Sequence, residues 1–133
     1  MVVSHAGRKS KGSTAERSLM HKLWANGWAC VRAAGSGSTQ FPCPDLIVGN
    51  GTKRLALEVK ATKDDKKYFP KEEIHNLKYF ATKFGAEPYV VIKWDRKDFY
   101  FIHISDLNET NASFVANFEL AQNKGFSFDE FII

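Results

Sequence analysis

Apolar residues recur at helical spacing through Ala15, Leu19, Met20, Leu23 and Trp24, a stripe that predicts an amphipathic helix. Ser13-Thr14-Ala15-Glu16 matches a capping box at its start, and Gly27 supplies a stop. Residues 28–33 form a short β-prone run, which empties into Gly35-Ser36-Gly37-Ser38, a flexible loop. Residues 45–49 read as a short apolar strand, and Asn50-Gly51 behind it is a strong hairpin signal. In the return strand, 53–61, Leu55, Leu57 and Val59 alternate with Ala56, Glu58 and Lys60. Period-two alternation assigns the two sets to opposite faces.

Residues 62–71 are dominated by lysine and aspartate and read as an exposed loop. Pro70 opens a second helix with apolar positions Ile74, Leu77, Phe80, Ala81 and Phe84, and Gly85 ends it. Two further strands, 89–94 and 99–104, flank a polar turn, and a third helix is expected over 113–123. The last eight residues are apolar enough to pack on something. The order α-β-β-β-α-β-β predicts an α/β domain with a central mixed sheet flanked by helices. That domain covers residues 13–133, behind a flexible basic arm over residues 1–12.

At 133 residues, 44% hydrophobic and 26% charged, the chain has the proportions of one globular domain. No apolar run is long enough for a membrane helix, and the hydrophilic start has no signal-peptide core. Two cysteines, Cys30 and Cys43, can form neither a disulfide framework nor a closed zinc site. Reduced thiols in a cytoplasmic protein are expected. Eighteen of the nineteen Lys and Arg residues lie in 1–103, against ten acidic ones. Residues 105–133 are an acidic extension, with Lys124 against Asp106, Glu109, Glu119, Asp129 and Glu130. A basic body suits a polyanionic partner, although a solvated lysine-rich surface would look the same.

The chemistry concentrates in Pro44-Asp45 and, after twelve intervening residues, Glu58-Val59-Lys60. Glu58 and Lys60 share a face of one strand, and Asp45 begins its hairpin partner. Hard divalent cations take carboxylate oxygens; such a cation lowers the pKa of bound water and neutralises a phosphoryl oxygen. A nearby ammonium can hold the attacking water or stabilise developing negative charge. An isolated Glu-x-Lys, by contrast, is most often a solvent-facing ion pair. Glu16 lies three, four and seven residues before Leu19, Met20 and Leu23, and so points along the buried face. There it needs a cation, a donor or a metal, unless it only closes the capping box.

These residues together resemble the archaeal-type Holliday junction resolvases, small members of the PD-(D/E)XK nuclease superfamily. The matching segments are Arg8-Lys9, Lys11-Gly12, Ala15-Glu16-Arg17, Val31-Arg32, Ala34-Gly35-Ser36, Pro44-Asp45-Leu46, Asn50-Gly51, 57–63 and Lys83-Phe84-Gly85. The resemblance implies a restriction-endonuclease-like fold. It implies Asp45 and Glu58 as metal ligands with the Val59 main-chain carbonyl, Lys60 as catalytic lysine and Glu16 as a fourth acidic element. Ser36 would approach the scissile strand. Arg17 and Arg32 would contact phosphates or support the site, and Arg8, Lys9, Lys11, Lys63, Lys66 and Lys67 would bind DNA.

The expected activity is Mg²⁺-dependent cleavage of four-way DNA junctions in recombination and repair, with Mn²⁺ as a substitute ion. Another endonuclease of the superfamily, of restriction or repair type, is the first alternative. A non-catalytic nucleic-acid-binding module on the same fold is the second. One chain carries one constellation while resolution needs two nicks, so a two-fold homodimer is expected. Phe80, Phe84 and strand 89–94 are candidates for its surface. Tyr68 and Phe69, among lysines, are candidates to dock into unstacked DNA, although a packing or dimer role is the more ordinary reading of such a pair. Gln122, Phe126 and Phe128 faintly resemble a sliding-clamp-binding peptide.

Overall fold

The computed structural model describes residues 2–33 and 40–133, with side chains from Thr14 onward within those ranges. Helix α1 (Val2–Ala25) leads into β1 (Ala29–Arg32), β2 (Leu46–Gly49), β3 (Arg54–Thr62) and β4 (Lys66–Pro70). Helix α2 (Lys71–Phe84) follows, then β5 (Glu87–Trp94) and β6 (Phe99–His103). Strands β7 (Asn108–Glu109) and β8 (Ser113–Asn117), helix α3 (Phe118–Lys124), strand β9 (Phe126–Ser127) and a last turn, α4 (Phe128–Phe131), complete the chain.

Six strands form the main sheet in the order β1-β2-β3-β5-β6-β9. It is mixed, because β3 and β5 run parallel while the other neighbours are antiparallel. The parallel pair requires a crossover, which β4 and α2 supply. Alternation along β3 sorts the core into two layers. Leu55, Leu57 and Val59 pack with Ala15, Leu19 and Leu23 of α1, whereas Ala56 packs with Ile74, Leu77 and Ala81 of α2. The turn between β2 and β3 is fixed by Gly51, at φ +98°, and by Asn50 Oδ1, which accepts from the main-chain N–H of Thr52 and of Lys53.

The α/β class and the faces of β3 are as expected, and several local expectations are corrected. Helix α1 runs from Val2 straight through Ser13, so no capping box opens it there; the segment contains no proline to stop it. The side chains of the basic segment, Arg8, Lys9 and Lys11 included, lie outside the described residues. Trp24, placed on the helix's apolar stripe, is 57% exposed.

The lysine-rich loop is in part a strand. Residues 66–70 pair with 113–117, so the expected third helix begins only at Phe118. Phe69 is fully buried while its neighbour Tyr68 is 55% exposed, because successive strand residues face opposite ways. Phe69 is therefore core and cannot dock into DNA. Strand β5 lies between β3 and β6 with Val90, Val91 and Ile92 completely enclosed, so within 89–94 only the half-buried Tyr89 and Lys93 reach the surface. Phe126 pairs with Phe101, and Phe128 is buried against the α1 layer, which removes the clamp-binding peptide reading of the tail.

Strand β4 gives a direct test by chemical denaturation. Phe69→Ala is expected to cost about 3–5 kcal/mol, the range for truncating a buried aromatic. Tyr68→Ala, one residue away, is expected to stay within about 0.5 kcal/mol of wild type. Equal costs at the two positions would contradict the strand.

Candidate active site

The site is built on the β2–β3 hairpin. Leu46 pairs with Leu57, so one step outward Asp45 stands opposite Glu58, and directly opposed residues present their side chains on the same face. Leu46 and Leu57 go into the α1 layer, which turns Asp45 and Glu58 toward α2. Asp45 is 8% exposed. Its main-chain N–H donates to Leu57 O at 3.0 Å, and its Oδ2 accepts the Val59 N–H at 2.9 Å. The N–H and C=O of one strand residue leave the strand on the same edge. The Val59 carbonyl therefore opens toward Asp45, just past the point where β2 begins.

Lys60 lies two residues beyond Glu58 on the same face. Its Nζ is 3.5 Å from Glu58 Oε2 and 3.0 Å from Oε1 of Glu73, in the first turn of α2. Glu73 Oε1 is sealed from solvent, and Glu73 is met by both the Lys60 ammonium and the Glu58 carboxyl. Asp45, Glu58, Lys60 and Glu73 line one cleft of about 660 Å³, with Gln40, Phe41 and Cys43 along one wall.

Burial dominates the electrostatics. It pushes the Glu58 carboxyl up to about 9, with further upward pressure from Asp45 and Glu73 that Lys60 only partly offsets. Burial alone would lower the Lys60 ammonium, but Glu73 and Glu58 outweigh it and hold that group above its ordinary value. Lys67 belongs to the same neighbourhood: burial first, then the charge of Lys60, lowers its pKa. Cys43 is a free thiol, raised by burial and by the charges of Asp45 and Glu58.

The structure thus brings together Asp45, Glu58 and Lys60, and adds Glu73. Glu16 is not among the residues that line this cleft: its Oε1 accepts from Arg32 Nε at 2.8 Å, and the charges that shift Glu58 are those of Asp45, Glu73 and Lys60. Arg17 and Arg32 line a shallow depression with His21 and Trp24. Lys63 and Lys66 are exposed. Ser36 lies outside the described residues. Glu73 was missed because Lys71-Glu72-Glu73 after a proline is an ordinary acidic first turn, indistinguishable from one that only complements the helix dipole.

The donor set fits a hard cation. Among the described residues no three of His, Cys, Asp and Glu form a ready-made metal cluster. The donors present are two carboxylates and a carbonyl, all oxygen, as hard divalent ions require. Burial first, then repulsion from Asp45 and Glu73, raises the Glu58 carboxyl, and a divalent ion would offset both.

The model of the archaeal Holliday junction resolvase (Hjc) family matches residues 7–133. The chain belongs to this family. A crossover junction endodeoxyribonuclease from Archaeoglobus fulgidus is 45% identical over 106 residues, 80% of this chain and 78% of that protein. One from Sulfolobus acidocaldarius is 36% identical over 127 residues, 93% and 87% of the two chains. The solved structure of A. fulgidus Hjc superposes with a TM-score of 0.86 at 37% identity, over 92% of this chain and all of that one. Family and fold agree with the resemblance read from the sequence, and the mixed sheet is that of a solved Holliday junction resolvase.

The raised Glu58 pKa makes a stability prediction for the metal-free protein. Folded Glu58 holds its proton up to about 9 against an ordinary 4.5. Its contribution is therefore complete below pH 4.5 and is lost as pH rises toward 9. Glu58→Gln is expected to flatten that decline and to be the more stable protein at pH 8–9 in EDTA, measured by thermal or urea unfolding. A wild-type curve that rises over pH 5–9, or a less stable Glu58→Gln at pH 9, would contradict the assignment.

Proposed function

We propose that this chain resolves four-way DNA junctions by paired phosphodiester hydrolysis, as a homodimer. The observation that carries the reading is the cross-strand pair Asp45 and Glu58 with Lys60 on the same face, in a chain of this family. Asp45, Glu58 and the Val59 carbonyl would hold Mg²⁺, or Mn²⁺ in its place. When bound, the ion supplies a more acidic water and charge neutralisation at the phosphoryl oxygen. Asp45 is fixed for this by the Val59 N–H, so its carboxylate is aimed before any ligand arrives. Lys60 donates toward the attacking water or the non-bridging oxygen as negative charge develops.

DNA contact falls to the basic residues. Lys67 feels the charges of Lys60 and Glu73 and is suited to a phosphate near the scissile one, while Lys63 and Lys66 are suited to the arms. Arg8, Lys9, Lys11 and Arg17 are assigned to DNA contact, and Ser36 to the approach to the scissile strand, on the family resemblance. Glu16 fixes Arg32 through its ion pair; Glu16→Gln tests whether Glu16 acts through Arg32 or at the metal. Tyr79 and Phe84 are exposed on α2, with Phe80 stacked on Phe84 at 5.3 Å, and this face is assigned to the partner subunit. Among the described residues no helix is long and apolar enough to cross a membrane.

The test is cleavage of an immobile four-way junction and of linear duplex, with and without Mg²⁺. Wild type is expected to place symmetric paired nicks in the junction only, and only with metal. Asp45→Asn, Glu58→Gln and Lys60→Ala are each expected to lower the rate by about a hundredfold or more, the scale of losing a catalytic electrostatic group. Junction affinity in EDTA should be retained, because these groups act in the transition state. Duplex cleavage equal to junction cleavage would favour a general nuclease, and binding without any cleavage would favour a non-catalytic module.

A further inference from the structure

Lys60 has two carboxylates to choose between. Glu58 Oε2 stands at 3.5 Å and Glu73 Oε1 at 3.0 Å. The two arrive on different elements: Glu58 shares the ammonium's own strand, two residues away, whereas Glu73 comes from the first turn of α2. Glu58 is also the carboxylate that the reaction reserves for the cation. An ammonium closed onto Glu58 would occupy the oxygens the ion needs and would be drawn back from the scissile phosphate.

We propose that Glu73 is a positioning residue, which draws the Lys60 ammonium off Glu58 and holds it forward in the cleft, leaving Glu58 to the metal. The inference rests on the metal-assisted reading of the site and extends it to a residue on a different element. Two features of Glu73 suit the role, beside the hydrogen bond it shares with the Glu58 carboxyl. Its Oε1 is sealed from water, a costly arrangement for a carboxylate unless the ammonium 3.0 Å away offsets it. Glu73 is also anchored by its neighbours, since Ile74 and Leu77 bury α2 in the second core layer. The carboxylate therefore has a fixed origin, independent of the hairpin that carries Lys60.

A double-mutant cycle on single-turnover cleavage, at saturating Mg²⁺ and saturating protein, tests this. Glu73→Gln keeps the shape and removes the charge. It is expected to slow cleavage about tenfold, within the range of coupling between contacting groups, and to bind the junction in EDTA within about twofold of wild type. In a Lys60→Met background the same change is expected to have no effect on the residual rate, because the group through which Glu73 acts is gone. A readout independent of activity is the metal-free crystal structure of Glu73→Gln, in which Lys60 Nζ should close onto Glu58 from its present 3.5 Å.

A tenfold loss that persists beside Lys60→Met would make Glu73 a direct participant and overturn the proposal, as would wild-type cleavage by Glu73→Gln or an unmoved Lys60. Lys60→Met alone reports on the underlying reading. If it cuts at the wild-type rate, both the reading and the proposal fall; if it cuts slowly while Glu73→Gln cuts normally, only the proposal falls.

Discussion

The arrangement depends on the register of one antiparallel pair. Leu46 must face Leu57, and Val48 must face Leu55, for the α1 layer to close. That apolar requirement places Asp45 opposite Glu58 on the other side. A slip of one residue would send every side chain of the strand through the sheet, burying Ile47 where Leu46 belongs and parting the two carboxylates. The polar pair is itself a liability, since Glu58 and Asp45 repel in a part-buried place. The hydrophobic pattern on the opposite face, together with the Asn50-Gly51 turn, holds them together against that repulsion. Function here is carried on the reverse of a packing decision.

The same division explains how the two helices differ in role. Helix α1 covers the purely apolar face of β3 and contributes bulk through Leu19 and Leu23, both fully buried. Helix α2 covers the face that also carries the chemistry, and it combines apolar anchoring by Ile74, Leu77 and Ala81 with an acidic first turn over the cleft. The parallel β3–β5 pair forces a crossover between them, and that crossover is β4 and α2. The connection that closes the fold therefore also delivers Glu73 and Lys67 to Lys60. Strand β8 from the acidic extension pins β4 in place, which gives that extension a structural purpose remote from its charge.

Much of the fold and the centre of the site were legible because their signals are local. Period-two alternation in 53–61, the Asn-Gly turn and the Glu-x-Lys spacing sit within a few residues of one another. What escaped depends on distant pairing. Strand β4 reads as loop because the charged run 63–67 around its start carries no apolar alternation, and only β8, more than forty residues on, makes it a strand. The partition of 113–124 into strand and helix has the same origin. Glu73 looked like any acid in a first helical turn until the crossover set it against Lys60. Glu16 shows the reverse limit: its burial was legible, but its partner, Arg32, was a question of which edge of β1 met α1.

The central claim is that Asp45, Glu58 and the Val59 carbonyl form one cation site. Anomalous diffraction from crystals soaked in Mn²⁺ tests it most directly. The account predicts a peak at bonding distance from both carboxylates and the carbonyl, absent from Asp45→Asn crystals soaked in the same way. A peak bound elsewhere, or one at the same place that survives in Asp45→Asn, would contradict it.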